Sequence, residues 1–404
     1  MKKNISFKNN IQKNYLNQIL IKNLTKDYKK IIKEIDLDIN NSRKTLNILN
    51  DKFECNFKIK DLRKFRKYNS IAFIGMGGSI LGIEAITNFL EEKIKKKIYF
   101  FDNLEPRKIS IFKKKKNFKK ILFLIISKSG NTIETLSNVF ALNIIKKNSK
   151  NVIVITEQKD NIMLSIVKKF GIFYIEHKDY IGGRYSILSE VGLIPVYLIG
   201  LNIFKFRSKI KNFLKGKERN FLKESAIKLA SLLKAKKIKN LIFINYAPEL
   251  EKFLFWCQQL VAESLGKKGK GFLPTISNAP KDHHSLLQLY LDGPRDKLFH
   301  IFSVNEKSKE TINTKKILRK NNFLNKKNLS VIKTAQKNAL IEIFKKNKIP
   351  FREFKINSLD EQVLGKLFSY YILETVLIGK LAKINPFDQP SVEQVKTYTK
   401  KLLT

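Results

Sequence analysis

Two short turns rich in glycine and hydroxyl residues, each lodged between an apolar run and a helical pattern, restrict this chain to a narrow set of folds. The first, Gly75-Met76-Gly77-Gly78-Ser79, follows the apolar run 71–74 and precedes a helical pattern over 80–90. The second, Ser127-Lys128-Ser129-Gly130-Asn131-Thr132-Ile133-Glu134-Thr135, follows the apolar run 121–126 and leads into another helical pattern. Where a strand ends and a helix begins, free amide N–H groups and the positive end of the helix dipole favour an anion. Glycine lets the backbone come close, and hydroxyls add neutral donors. Two such turns in neighbouring strand–helix units predict a phosphate-bearing small molecule at the carboxyl edge of a parallel sheet.

The rest of the chain repeats that plan. Short apolar runs at 71–74, 98–101, 121–126, 152–155 and 172–175 alternate with helical patterns at 80–93, 131–147 and 161–170. A double-glycine turn at 182–186 leads into an apolar helix over 187–203. A lysine-rich stretch, 205–219, marks a junction, and then the alternation resumes. Strands are expected at 241–244, 298–302 and 351–354, with helices at 249–267, 329–346 and 359–383. This pattern predicts an α/β fold of two doubly wound domains, with mainly parallel sheets and helices on both faces. The expected boundaries are 61–204 and 205–404. Residues 1–60, with Tyr15, Leu16, Ile19, Leu20 and Leu24 at helical spacing, form a helical segment packed on that body.

Charge says little about function. The net charge is +45, from 80 Lys and Arg against 35 Asp and Glu. The lysines run along the whole chain instead of forming a stripe or tail, as compositional bias towards AT-rich codons would produce. No RNA-binding signature or metal-ligand spacing accompanies them, so neither a nucleic-acid partner nor a metal is expected. Cys55 and Cys257 are too few and too far apart for a disulfide framework, which predicts a reducing cytoplasm. The start lacks the apolar core of a signal peptide. The uncharged apolar stretch 191–204 falls short of the roughly 18–20 residues of a membrane span, so no membrane partner is expected.

A dinucleotide site fails at the first turn, because Gly-x-Gly-x-x-Gly requires glycine where Ile80 stands. Other segments hold side chains suited to chemistry. Glu263, in Gln258-Gln259-Leu260-Val261-Ala262-Glu263-Ser264-Leu265-Gly266-Lys267, reads either as a solvated helix residue or as a general base. His283 and His284 follow a Pro280-Lys281-Asp282 turn and point in different directions, so one of them at most serves a site. Arg184, in Gly182-Gly183-Arg184-Tyr185-Ser186, can stabilise an oxyanion or pair with a carboxylate. The proline-stiffened run from Asn385 to Lys396 reads as a loop and a helix start.

Taken together and in this order, these segments resemble the glucose-6-phosphate isomerase family, in its shorter bacterial form. The resemblance rests on Gly-Gly-Ser at 77–79, Ser-Lys-Ser-Gly-Asn-Thr at 127–132, Gly-Gly-Arg-Tyr-Ser at 182–186, Glu-Ser-x-Gly-Lys at 263–267, His-Ser at 284–285 and Phe-Asp-Gln-Pro-x-Val-Glu at 387–393. It implies two sugar-isomerase domains and a cofactor-free aldose–ketose isomerisation of glucose 6-phosphate and fructose 6-phosphate. Ser127, Ser129, Thr132 and Thr135 are then expected to hold the phosphate, with the Lys128 backbone. Gly78, Ser79, Gln259 and Gln389 are expected at the sugar. Glu263 becomes the base, Arg184 the stabiliser of the enediolate, and His284 the ring-opening group, with Lys396 beside it. The resemblance also implies a homodimer in which His284 crosses the interface. Two other readings stay open: a bifunctional isomerase that also takes mannose 6-phosphate, and a sugar-phosphate sensor without catalysis.

Overall fold

The run 121–126 is buried from end to end and forms the middle strand of a five-stranded sheet. The computed structural model describes residues 4–306, 308, 310–314 and 322–403. The chain begins with β1 (Ile5–Asn10), α1 (Gln18–Asn40) and the short α2 (Ile59–Leu62). The first sheet then follows in strict alternation: β2 (Ser70–Ile74), α3 (Leu81–Phe89), β3 (Lys97–Phe101), α4 (Pro106–Lys115), β4 (Ile121–Ile126), α5 (Ile133–Leu142), β5 (Val152–Thr156), α6 (Ile162–Phe170) and β6 (Phe173–Glu176). Its strand order is β3-β2-β4-β5-β6, parallel throughout. Successive strand residues face opposite sides of the sheet. Ala72, Phe123, Ile125 and Val154 therefore meet Phe112, Val139 and Met163 of α4, α5 and α6 on one face. Ile71, Phe73, Leu122 and Leu124 join a larger core on the other. Both faces are covered, which is why these strands read as continuous apolar runs.

Three helices, α7 (Glu190–Leu198), α8 (Ile203–Arg207) and α9 (Gly216–Ala235), lead to the second sheet. There follow β7 (Asn240–Asn245), α10 (Glu251–Leu265), β8 (Leu273–Asn278), α11 (Leu287–Asp292), β9 (Lys297–Val304), α12 (Leu329–Lys346), β10 (Phe351–Ile356), α13 (Glu361–Leu381) and α14 (Val392–Leu403). The strand order is β1-β10-β9-β7-β8. β7 to β10 run parallel, while β1 adds antiparallel to β10 with Ile5 opposite Ile356 and Asn10 opposite Phe351. The α/β architecture with two mainly parallel sheets is as expected. The first 60 residues do hold a helix, α1, whose Leu24, Tyr28, Ile31, Ile35 and Ile39 form a buried stripe. Ahead of it, however, lies a strand, sewn into the more distant sheet. The apolar stretch 187–203 is also not one helix. A 3-10 turn spans Gly183–Leu188, and α7 stops at Leu198, before Gly200 at φ +95°. The lysine-rich stretch 205–219 is itself largely helical, in α8, a 3-10 turn and the start of α9.

One apolar core runs between the sheets. It joins Leu124 and Ile155 of the first sheet, through α7, α10 and α13, to Phe243 and Phe354 of the second. Within it α10 packs along α3, so the helix carrying Glu263 lies against the helix that follows the first glycine turn. A buried polar network crosses the second half. The Arg352 guanidinium on β10 donates to both Glu374 oxygens on α13, at 2.7 and 3.2 Å, and to Asn9 of β1 at 3.1 Å. His300 on β9 also meets Arg352, at 3.1 Å. Burial and then that guanidinium hold the imidazole well below its ordinary pKa, so it is neutral. Among the described residues no helix is long and apolar enough to cross a membrane.

Candidate active site

The loop from β4 to α5 gathers hydroxyls. Ser127 Oγ lies 3.0 Å from Thr132 Oγ1, and Ser129 Oγ lies 3.4 Å from the same atom. Gly130 makes the bend at φ +65°. A Cβ there would stand 1.8 Å from Asn161 Oδ1, so only glycine fits. Asn131 Oδ1 accepts from the Ile162 amide at 3.0 Å, which ties the loop to the start of α6. Thr132 is the N-cap of α5, but its side chain does not cap the helix. The first amides of α5 therefore remain available to a ligand. Thr135 Oγ1, on that first turn, is buried without a partner among the described residues. The Lys128 ammonium turns aside, donating to the Asp179 carbonyl at 2.8 Å and standing 3.4 Å from Glu157. What the loop offers an anion is thus hydroxyls and amides.

The first glycine turn, after β2, is pressed against the turn that carries Arg184. A Cβ on Gly78 would lie 2.3 Å from the Gly183 carbonyl carbon and 2.4 Å from the Arg184 nitrogen. Ser79, nearly buried, ends that turn. From the joined turns the Arg184 side chain enters the core at 2 % exposure. Its Nε donates to Ser264 Oγ at 2.8 Å. Nη2 donates to the carbonyls of Pro386, at 2.6 Å, and Asp388, at 3.1 Å. Nη1 donates to Glu263 Oε2 at 3.2 Å and to Gln389 Oε1. The other Glu263 oxygen accepts from Gln259 Nε2 at 2.9 Å, because residues four apart share a face of α10. The Gln259 carbonyl oxygen is left buried without a partner among the described residues.

A fixed guanidinium beside a carboxylate that is still partly open, next to a hydroxyl-lined anion loop, suits proton transfer on an anionic substrate whose intermediate carries negative charge on oxygen. Three supporting residues were not singled out from the sequence. Ser264 accepts from Arg184 and meets the Tyr185 hydroxyl at 2.8 Å. Tyr185 in turn donates to the Pro386 carbonyl at 2.8 Å. Lys267 pairs with Asp388 at 2.7 Å and also donates to the carbonyls of Asn385 and Asp388, fixing the loop that delivers Gln389. That hydrogen bond from Lys267 is the main reason the Asp388 carboxyl lies below its ordinary pKa. All three belong to the quoted motifs, but their partners are remote in sequence, so spacing alone gives no signal for their roles.

Two predicted residues stand apart within this chain. His284 is exposed on a 3-10 turn beyond β8, and no hydrogen bond or ion pair joins it to Glu263 or Arg184 among the described residues. Its neighbour His283 is engaged, 2.7 Å from the Tyr246 hydroxyl. Lys396 lies on α14, a helix with no buried residue, and pairs at 2.5 Å with Glu393 one turn away. No group of three or more His, Cys, Asp or Glu side chains that could hold a metal ion occurs among the described residues. A cleft of 1370 Å³ opens beside the edge strand β3, and none of the predicted site residues lines it.

Comparison with known proteins places the chain in a family. The family model described as phosphoglucose isomerase matches residues 38–404. A probable glucose-6-phosphate isomerase of Methanococcus maripaludis is 33% identical over 390 residues, covering 93% of this chain and 86% of its own. A glucose-6-phosphate isomerase of Campylobacter jejuni is 31% identical, over 83% of this chain and 85% of its own. Among solved structures, a hypothetical protein from Thermus thermophilus superposes with a TM-score of 0.78 at 23% identity, covering 99% of this chain and 100% of its own. A glucose-6-phosphate isomerase from Chlamydia trachomatis superposes with a TM-score of 0.72 at 20% identity, over 85% of this chain and 71% of its own. These two superpositions speak for the fold.

Proposed function

The chain belongs to the phosphoglucose isomerase family, and on that premise we propose that it interconverts glucose 6-phosphate and fructose 6-phosphate with Glu263 as the base. The observation that carries the assignment is the buried Arg184 guanidinium, shared between Glu263 and Gln389. It stands where negative charge would develop beside a base.

The Ser127–Thr135 loop grips the phosphate through hydroxyls and amides and so orients the remote carbons. Gly78, Ser79, Gln259 and Gln389 line the sugar. Once the ring has opened, the C1 carbonyl acidifies the C2–H bond. The Glu263 carboxylate takes that proton, the electron pair forms the C1=C2 bond, and the carbonyl π pair moves onto O1 as negative charge. Arg184 stabilises the resulting enediolate. Transfer of the O2 proton to O1 and return of the carbon-bound proton from Glu263 to C1 leave the ketone at C2 and a hydroxyl on C1. Carbon 2 is oxidised as carbon 1 is reduced, so the step balances without an external redox partner. A positioned base contributes roughly 10²–10⁴-fold.

Ring opening is assigned to His284, with Lys396 assisting. Among the described residues neither forms a hydrogen bond or ion pair with Glu263, so in this reading a second subunit supplies the histidine and the working enzyme is a homodimer. In the same reading the two sheets mark two domains, 61–204 and 205–404.

The test is turnover of fructose 6-phosphate by purified protein in deuterated water, with no added cofactor. We expect glucose 6-phosphate carrying deuterium at C2, and a loss of about 10²–10⁴-fold in kcat for Glu263→Gln with binding retained. Binding without turnover by the wild type would reassign the protein as a sugar-phosphate sensor. Near-normal turnover by Glu263→Gln would remove that residue from the role of base.

A further inference from the structure

Behind the loop that delivers Gln389 lies a second concavity, separate from the hydroxyl loop and from Glu263. It has a volume of 520 Å³, within the range of roughly 300–1,000 Å³ usual for small-molecule sites. Arg43 and Lys44, past the end of α1, line it together with Lys380 of α13, Asp38 of α1, Tyr180 and Pro386. The charges are not balanced. Lys380 is satisfied by Glu34 at 3.2 Å and by Asp38 at 3.9 Å, which uses up the one acid on the wall. Arg43 and Lys44, adjacent in sequence, form no ion pair or side-chain hydrogen bond among the described residues. Two neighbouring cations in a concave wall repel one another, and the walls of a cleft concentrate their field.

We propose that this cavity binds a small multivalent anion, of the di- or tricarboxylate class, at a site distinct from the catalytic one. The Arg43 fork suits a carboxylate in two-point contact, and Lys44 supplies a movable second cation. The position gives such a ligand a lever. One wall holds Tyr180, whose carbonyl accepts from Thr45 Oγ1 at 2.6 Å, four residues before Arg184. Pro386 also lines it, and its carbonyl accepts from both Arg184 and Tyr185. An occupant would therefore touch the segment that leads to Arg184 and the Pro386 segment that accepts from its guanidinium.

The probe is citrate, measured by calorimetry at constant ionic strength on the full chain. We expect it to bind the wild type, and to bind still when fructose 6-phosphate saturates the catalytic site. Affinity should fall by about tenfold or more in the double variant Arg43→Gln, Lys44→Gln, as loss of two charge-assisted contacts requires. Both side chains are exposed, so this variant keeps its fold. The exchange Arg43→Lys, Lys44→Arg should retain binding. Displacement of citrate by fructose 6-phosphate, absence of binding, or equal affinity in the glutamine variant would overturn the proposal. No arm needs turnover, and the glutamine arm decides the matter even if fructose 6-phosphate does not bind. Failure here is thus separate from failure of the isomerase assignment.

Discussion

Gly78 and Gly183 touch backbone to backbone: a Cβ on the first would sit 2.3 Å from the carbonyl carbon of the second. The contact joins the turn after β2 to the turn that aims Arg184, and no side chain can be inserted there without parting the two. Gly78→Ala should cost about 1–3 kcal/mol of stability through overpacking. It should lower turnover by much more than that loss explains, because Arg184 is displaced. Thermal unfolding and kcat measured on the same preparation test both halves.

The phosphate loop predicts a different signature. Thr132 Oγ1 stands within 3.4 Å of both Ser127 and Ser129 hydroxyls, at the head of α5. Thr132→Val removes a hydroxyl that would face a charged phosphate, a bond worth about 1.5–3 kcal/mol. kcat/KM should fall roughly 10–100-fold, while a neutral sugar lacking phosphate is processed no worse than by the wild type.

His177 makes stability depend on pH. It is buried after β6, and its Nδ1–H donates to the Lys178 carbonyl at 2.9 Å. Burial lowers its pKa from 6.5 to about 4. As pH falls below 6.5 the unfolded chain takes up a proton that the folded chain refuses, so stability drops until about pH 4. The full effect is about 3 kcal/mol. In His177→Phe the slope of unfolding free energy over that window should be shallower than in the wild type, whatever the variant's stability at neutral pH. Denaturant titrations at several pH values provide the comparison.

Arg352 and Glu374 form a buried pair at 2.7 Å whose partners reach into β1, β9 and α13. Glu374→Gln leaves a guanidinium without its counter-charge in the core and should destabilise the fold by about 3–5 kcal/mol. Replacing both residues with apolar ones of similar volume should restore part of the loss. A double-mutant cycle in denaturant measures it.

The sequence carried much of this plan, for stated reasons. Buried parallel strands must be apolar at every position, so β4 and β5 stand out as runs. β1 does not, because an edge strand needs few apolar positions, and Ile5 and Phe7 sit among Asn, Ser and Lys. β8 is broken in pattern by Pro274 and ends in Ser277 and Asn278. α9 begins inside a lysine-rich stretch, since a helix packed on one side tolerates charge on the other. At the site, Glu263, Arg184 and Gln389 could be singled out from their motifs, and the fold brings them together. The bonds of Ser264 and Tyr185 reach Arg184 and Pro386 only through the tertiary fold. No spacing rule encodes a partner some 80 or 200 residues away.

The pairing of β1 with β10 also sets an order of events at the ribosome. Asn9 meets Arg352 across 343 residues of chain. The first sheet is complete once residue 176 has emerged, whereas β1 must wait for β10, made some 340 residues later. During translation that strand is an open hydrogen-bonding edge, and pairing over such a separation is slow. Its Lys8, Asn9 and Asn10 keep the waiting segment wetted and discourage pairing with a neighbouring nascent chain. β1 thus acts as a clasp that closes only once β10 has been made, and a product that stops short of residue 351 is left with its second sheet unsealed.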